Sequence, residues 1–231
     1  MRQKTKVIIL IGPPGAGKGT QAILLSEKFH LFYFDTSTIV EKAFKEAKKR
    51  EFVKIGKEKY YLEREKKLWK EGKLCDPPFV VYLIKEKIKA LSKEKKGIVF
   101  AGSPRTLYEA EKILPLLEKL YGKANIKIFL LDLPLEQSIW RNSHRRICEL
   151  MRHPILYNKE TLKLTHCPLD GSKLIKRALD KPEVIKKRYQ VYLKETLPVI
   201  DYLKKRDFKI QKINGAQTVA DVFADIQRTI K

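Results

Sequence analysis

The chain has 231 residues, 43% of them hydrophobic, which is enough for one mid-sized domain with insertions and excludes both disorder and a mini-protein scaffold. Fifty Lys plus Arg against 27 Asp plus Glu leave a charge of +23, so an anionic counterpart is expected: nucleotide phosphates, nucleic acid or an acidic membrane surface. The longest apolar runs, 7–11 and 128–131, fall far short of the roughly 20 residues that span a bilayer, and glycines stand where a signal peptide would be cleaved. Three cysteines, Cys75, Cys148 and Cys167, do not suit a disulfide framework. Thiols or metal ligands in a cytoplasmic protein are expected.

In chain order, the β-branched run 7–11 reads as a strand, 12–20 as a glycine-rich loop and 21–29 as an apolar-periodic helix. Further short apolar runs at 31–34, 97–101, 126–131 and 208–213 alternate with helical stretches, which predicts a five-stranded parallel sheet flanked by helices. Two inserts interrupt the pattern. Residues 38–91 are strongly charged, with helical periodicity and no convincing strand; residues 147–175 carry His, Cys and Pro without a clear period. No repeat, low-complexity tract or linker divides the chain.

The loop reads Gly12-Pro13-Pro14-Gly15-Ala16-Gly17-Lys18-Gly19-Thr20. Its glycines let successive backbone N–H groups wrap an anion at a helix N-terminus, Lys18 reaches the outer phosphates, and Thr20 is placed to hold magnesium.

With this loop the chain resembles the adenylate kinase family of P-loop nucleoside monophosphate kinases, in its long-lid form. Other segments carry the resemblance along the chain: Thr36-Ser37-Thr38, Gly72-Lys73-Leu74, Gly102-Ser103-Pro104-Arg105-Thr106, Arg141-x3-Arg145-Arg146, Arg177-x2-Asp180, Arg188, and Asn214-Gly215 before Val219. The resemblance implies a nucleotide-binding core (1–36, 77–146 and 176–231), a monophosphate-binding insert (37–76) and a lid (147–175). It implies a monomeric phosphotransferase moving the γ-phosphoryl of Mg-ATP to AMP, with no membrane or specific nucleic-acid partner. ATP would be bound by Gly15, Ala16, Gly17, Lys18, Gly19, Thr20, Arg141, Arg145 and Gln217. The monophosphate would meet Thr38, Lys73, Leu74, Cys75, Gly102, Ser103, Pro104, Arg105, Glu109, Arg177 and Arg188. Lys18 and the five arginines at positions 105, 141, 145, 177 and 188 would be the catalytic cations, because phosphoryl transfer asks for positive charge and alignment more than for a nucleophile.

The chain departs from the family pattern at several positions. Ile39, Val40 and Ala43 replace the family's Gly, Asp and Arg, which removes one acceptor clamp; Lys42 or Lys45 would substitute only as point charges. Ala101 replaces an Asp that organises magnesium; Asp35 either supplies that carboxylate or caps the next helix. Glu109 replaces an adenine-reading Gln, and a carboxylate, which only accepts, suits guanine, so GMP stays open as acceptor beside AMP. In the lid, Cys148-x2-Met151 and Cys167-x2-Asp170 resemble a zinc-binding pattern with one ligand broken. Either His153 or His166 completes a zinc site, or the two thiols are a relic packed by Leu150, Met151, Ile155 and Leu164. A nucleotide-binding homologue with weakened catalysis and an RNA-binding protein are the other classes. The second lacks a recognisable motif, and its lysines in 42–70 alternate with glutamates on an apparently solvated helical face.

Overall fold

The computed structural model describes residues 6–70, 75–151, 154–176 and 180–230. Strand β1 (Val7–Ile11) is buried along its whole length because it lies between two other strands and under helices on both faces. Its side chains alternate. Val7, Ile9 and Ile11 enter one core layer with Ile84, Ile88, Leu91, Leu114 and Leu203, while Ile8 and Leu10 enter the other with Ala22, Leu25 and Ile226. Helices α4 (Pro77–Lys93), α5 (Leu107–Tyr121) and α8 (Leu197–Lys205) thus cover one face, and α1 (Lys18–Phe29) and α9 (Val219–Ile230) cover the other.

The sheet also contains β2 (Phe32–Phe34), β5 (Ile98–Ala101), β6 (Ile126–Asp132) and β10 (Ile210–Asn214), in the order β10-β6-β1-β5-β2 with every pairing parallel. The five strands expected from the sequence are therefore the five of the sheet. Their carboxyl ends lie along one edge, where the loops after β1 and β5 face each other, the usual place for a ligand in such a fold. Leu10 pairs with Ala101 at that edge.

The first insert corrects the sequence reading. Between α2 (Thr36–Glu46) and α3 (Leu62–Lys70) the chain makes an antiparallel hairpin, β3 (Phe52–Ile55) with β4 (Glu58–Tyr61), where only helical periodicity was expected. Exposed Phe52 and Tyr61 on the outward face, and Glu58 opposite Ile55 on the other, blur the period of two; Gly56, at φ +62°, permits the tight turn. The hairpin is held by an apolar cluster of Val40, Phe44, Leu62, Cys75 and Phe79, against which Val53 and Tyr60 pack. Val40, where the family pattern has a polar residue, is buried in this cluster.

The second insert is a small sheet, β8 (Pro154–Ile155), β7 (Arg146–Cys148) and β9 (Leu174–Ile175), with β7 central. Its core is Cys148, Ile155 and Cys167 with Leu174; Leu150 and Met151 do not pack there but are 68% and 63% exposed. Helix α6 (Leu135–His144) enters this insert, and α7 (Pro182–Val191) leaves it. Among the described residues no helix is long and apolar enough to cross a membrane.

Phe79 stacks on Phe44 at 6.1 Å between ring centroids and is completely buried where the first insert meets α4. Phe79→Ala should cost about 3–5 kcal/mol. Urea unfolding of the two proteins measures it, and a loss under about 1 kcal/mol would show that the cluster closes over the gap.

Candidate active site

Gly15 and Gly17 hold φ of +78° and +83°, a region that side chains other than glycine rarely adopt. A Cβ on Gly15 would stand 2.4 Å from Asn142 Nδ2, so α6 presses directly on the loop. Ser138 Oγ donates to the Pro14 carbonyl at 2.6 Å, and Asn142 Nδ2 donates to the Ser138 carbonyl at 2.7 Å. Both residues are buried. The sequence reading missed this brace, although Ser138 and Asn142 are spaced i, i+4 on the helix that carries Arg141. Gly17 caps α1 without a side chain and no acid lies in the first turn, so the positive end of the helix is left to an anion. Thr20 lies in that turn, half-buried.

Lys18 opens α1, and its Nζ donates to the carbonyls of Gly12 at 2.6 Å and Pro13 at 2.7 Å. These carbonyls favour the ammonium, yet burial, with Arg105, Arg188 and Arg145 nearby, outweighs them and lowers its pKa to about 7. Cations from four parts of the chain thus lie near enough to act on one another's charge. Arg105, after β5, folds its Nε back on the Gly102 carbonyl at 2.5 Å, and a Cβ on Gly102 would lie between Arg105 Nη2 at 3.4 Å and Lys18 Cε at 3.7 Å. The Arg105 carbonyl accepts from Thr196 Oγ1 at 2.8 Å, within a π-helical turn (Tyr192–Thr196) between α7 and α8. Arg188 rides on α7, which is set by buried Ile185 and by Tyr189 OH donating to the Leu133 carbonyl at 3.0 Å.

Arg145 grips Asp180 through both sides of its guanidinium, Nη2 to Oδ1 at 2.7 Å and Nε to Oδ2 at 3.1 Å. Arg141 points the other way, donating to the carbonyls of Gly215 at 2.7 Å and Gln217 at 3.2 Å; burial lowers its pKa. The Gln217 side chain is held by the Asn214 carbonyl and by Asp225. Arg177 lies outside the described residues.

On the facing side, the Glu109 carboxylate accepts from the Arg105 backbone N–H at 2.8 Å and from Ser103 Oγ at 3.1 Å, while Thr106 Oγ1 accepts from the Glu109 N–H at 3.2 Å. This reciprocal cap fixes the turn through Pro104 at the start of α5. Asp35 Oδ1 accepts from the Ser37 N–H at 2.9 Å as the cap of α2, the second of the two roles open to it, and Thr38 is exposed in the first turn. Lys73 and Leu74 lie outside the described residues. Cys75 is buried, its thiol pushed up to about 11 by that burial. Beside it Glu65, fully buried, accepts from the Asp76 N–H at 2.9 Å and so anchors the chain as it returns to α4; burial raises its pKa.

The family model for adenylate kinase matches residues 10–208. This chain belongs to the adenylate kinase family. It is 32% identical to the adenylate kinase of Oceanobacillus iheyensis over 226 residues, which cover 97% of this chain and 98% of the relative. It is 33% identical to that of Petrotoga mobilis, over 95% of this chain and 94% of the relative. The adenylate kinase of Methanothrix thermoacetophila is 34% identical, over 96% and 97%. Family membership makes the chain a phosphotransferase of the P-loop class, and the parallel sheet carrying the glycine loop is the fold this requires.

In the second insert, ligand atoms of Cys148, Cys167 and Asp170 lie within 4.8 Å of one another. Cys148 Sγ donates to Asp170 Oδ2 at 3.0 Å, and that thiol, then Ser172, holds the carboxyl well below the usual range. His166 is exposed, its Nδ1 paired with Thr165 Oγ1 at 2.9 Å, and is not part of the cluster; His153 lies outside the described residues.

Because Lys18 titrates near neutrality in the ligand-free protein, and a triphosphate beside it favours the ammonium, Mg-ATP binding should take up a proton, more at pH 8 than at pH 6. Titration calorimetry in two buffers of different ionisation enthalpy reads this directly. Equal proton balance at both pH values would contradict it.

Proposed function

We propose that the chain transfers the γ-phosphoryl group of Mg-ATP to AMP, giving two molecules of ADP. The observation that carries this is the convergence of Lys18, Arg105, Arg145 and Arg188 at the edge of the sheet, with no nucleophilic side chain needed among them. An in-line transfer spreads charge over equatorial oxygens, and guanidinia placed beforehand stabilise that charge without rearranging. The loop amides of residues 15–20 and Lys18 hold the triphosphate, Thr20 faces the magnesium of Mg-ATP, and Arg141 with Gln217 sits on the adenine side. Arg105 and Arg188 grip the acceptor phosphate, with Arg177 between the two substrates and Arg145 toward the donor. The insert 37–76, with Thr38 and Lys73 to Cys75, closes on the monophosphate, and the lid 147–175 closes on ATP, excluding water that would otherwise accept the phosphoryl group. A monomer in the cytoplasm suits these small-molecule substrates.

AMP is preferred to GMP because the carboxylate that would read guanine is fixed to its own turn. Glu109 Oε2 accepts from both Ser103 Oγ and the Arg105 N–H, which orients the side chain against the start of α5. An assay of ADP formation from ATP with AMP, GMP, CMP and UMP should favour AMP, and Glu109→Gln should leave the order unchanged. Lys18→Ala should lower turnover by roughly 10²–10³-fold. Turnover of GMP equal to that of AMP would overturn the assignment.

The lid donors fit zinc in kind, two thiols and a carboxylate, and are one ligand short of a tetrahedral set among the described residues. Cys148, Cys167 and Asp170 would hold the ion, which would tie the two turns of the lid together. Protein purified without chelator should carry about one zinc per chain, and Cys148→Ser should lower both metal content and melting temperature. Less than about a tenth of a zinc per chain would leave the thiols as packing groups.

A further inference from the structure

The β3–β4 hairpin has two faces. Val53 and Tyr60 turn toward the apolar cluster of the insert, whereas Phe52, Lys54, Lys59 and Tyr61 turn to solvent. A two-stranded ribbon gains stability by burying apolar groups, yet this one leaves Phe52 41% and Tyr61 44% exposed, side by side on directly opposed positions with ring centroids 5.6 Å apart. Beside them Lys54 is paired directly across from Lys59, an arrangement of like charges that weakens a sheet. Lys59 Nζ leans over the Phe52 ring at 4.6 Å, so charge and aromatic face form one surface. The turns at either end add Lys48, Lys49, Arg50 and Lys57, all exposed and none in an ion pair with a described residue.

We infer that this face binds single-stranded nucleic acid, the bases stacking on Phe52 and Tyr61 and the phosphates running along the lysines. The chemistry matches on both counts. Every base has a face that stacks on an aromatic ring, and a polyanion relieves the repulsion between Lys54 and Lys59. Duplexes keep their bases stacked inside and would gain only the charge contribution. The ligand would be sequence-tolerant, since the face offers no pattern of donors and acceptors to read base edges. This activity is additional to phosphoryl transfer and uses different side chains, since none of these residues belongs to the cation cluster around Lys18.

The test is fluorescence anisotropy of a labelled 15-nucleotide oligouridylate with the full-length protein, in saturating ATP and AMP so that the nucleotide cleft is occupied. Binding should weaken steeply between about 50 and 200 mM salt. Phe52→Ala with Tyr61→Ala should weaken it by at least about fivefold, with circular dichroism showing that the variant remains folded. Lys54→Glu with Lys59→Glu, which leaves the rings intact, should lower affinity and flatten the salt dependence by about two phosphates. Lys18→Ala should lose turnover but keep oligonucleotide binding, which separates failure of this inference from failure of the kinase reading. Three results would overturn it: a loss under about fivefold in the aromatic variant, equal affinity for a duplex of the same length, or tighter binding to phosphatidylserine vesicles than to the oligonucleotide.

Discussion

Mutual repulsion among four cations at the end of one sheet is the constraint that organises this protein. Two like charges 4 Å apart near a protein surface repel by about 4 kcal/mol, a large share of the 5–15 kcal/mol by which a domain is stable. Lys18, Arg105, Arg145 and Arg188 can be held together only if each is anchored by something unrelated to the others. The structure supplies four such anchors. Lys18 is tied to carbonyls of its own loop, Arg105 to the Gly102 carbonyl and the Thr196 hydroxyl, Arg145 to Asp180, and Arg188 to a helix seated by Ile185 and Tyr189. Behind them the doubly covered sheet fixes where each anchor begins. Burial first, and the nearby arginines after it, lower the pKa of Lys18 to about 7, and an anionic substrate would offset both.

The acceptor side shows how a departure from the family pattern can follow from local packing. Val40 sits in the apolar cluster that holds the hairpin, so a polar residue there would be buried without water. Glu109 likewise serves the backbone of its own turn. Both substitutions look like changes of specificity when read as letters; in place, Val40 fills an apolar cluster and Glu109 caps its own turn.

The sheet was legible because fully buried parallel strands are written as β-branched runs, and the glycine loop because few other sequences can wrap a phosphate. The arginines could be singled out in the sequence, but their partners could not. Asp180 and Thr196 meet Arg145 and Arg105 only through the tertiary fold. The brace from Ser138 to Asn142 uses residues that pass for ordinary polar positions on a helix. The hairpin stayed hidden because its outward positions are lysine as often as aromatic, which blurs the alternation that marks a strand. Cys148 and Cys167 do lie close to Asp170, while Leu150 and Met151 do not pack against them because both lie on the outer side of their turn.

The clasp between Arg145 and Asp180 joins positions 35 residues apart, and the β7–β9 ladder pairs Ile147 with Ile175 just beyond it. Together they cinch the neck of the second insert, proposed above as the lid. Closure entropy grows only with the logarithm of loop length, so once the neck is fixed, the tip can lengthen, shorten or trade one stabilising device for another at small cost to the rest of the molecule. Evolution can therefore treat the lid tip as an interchangeable part, and an engineer can graft into it.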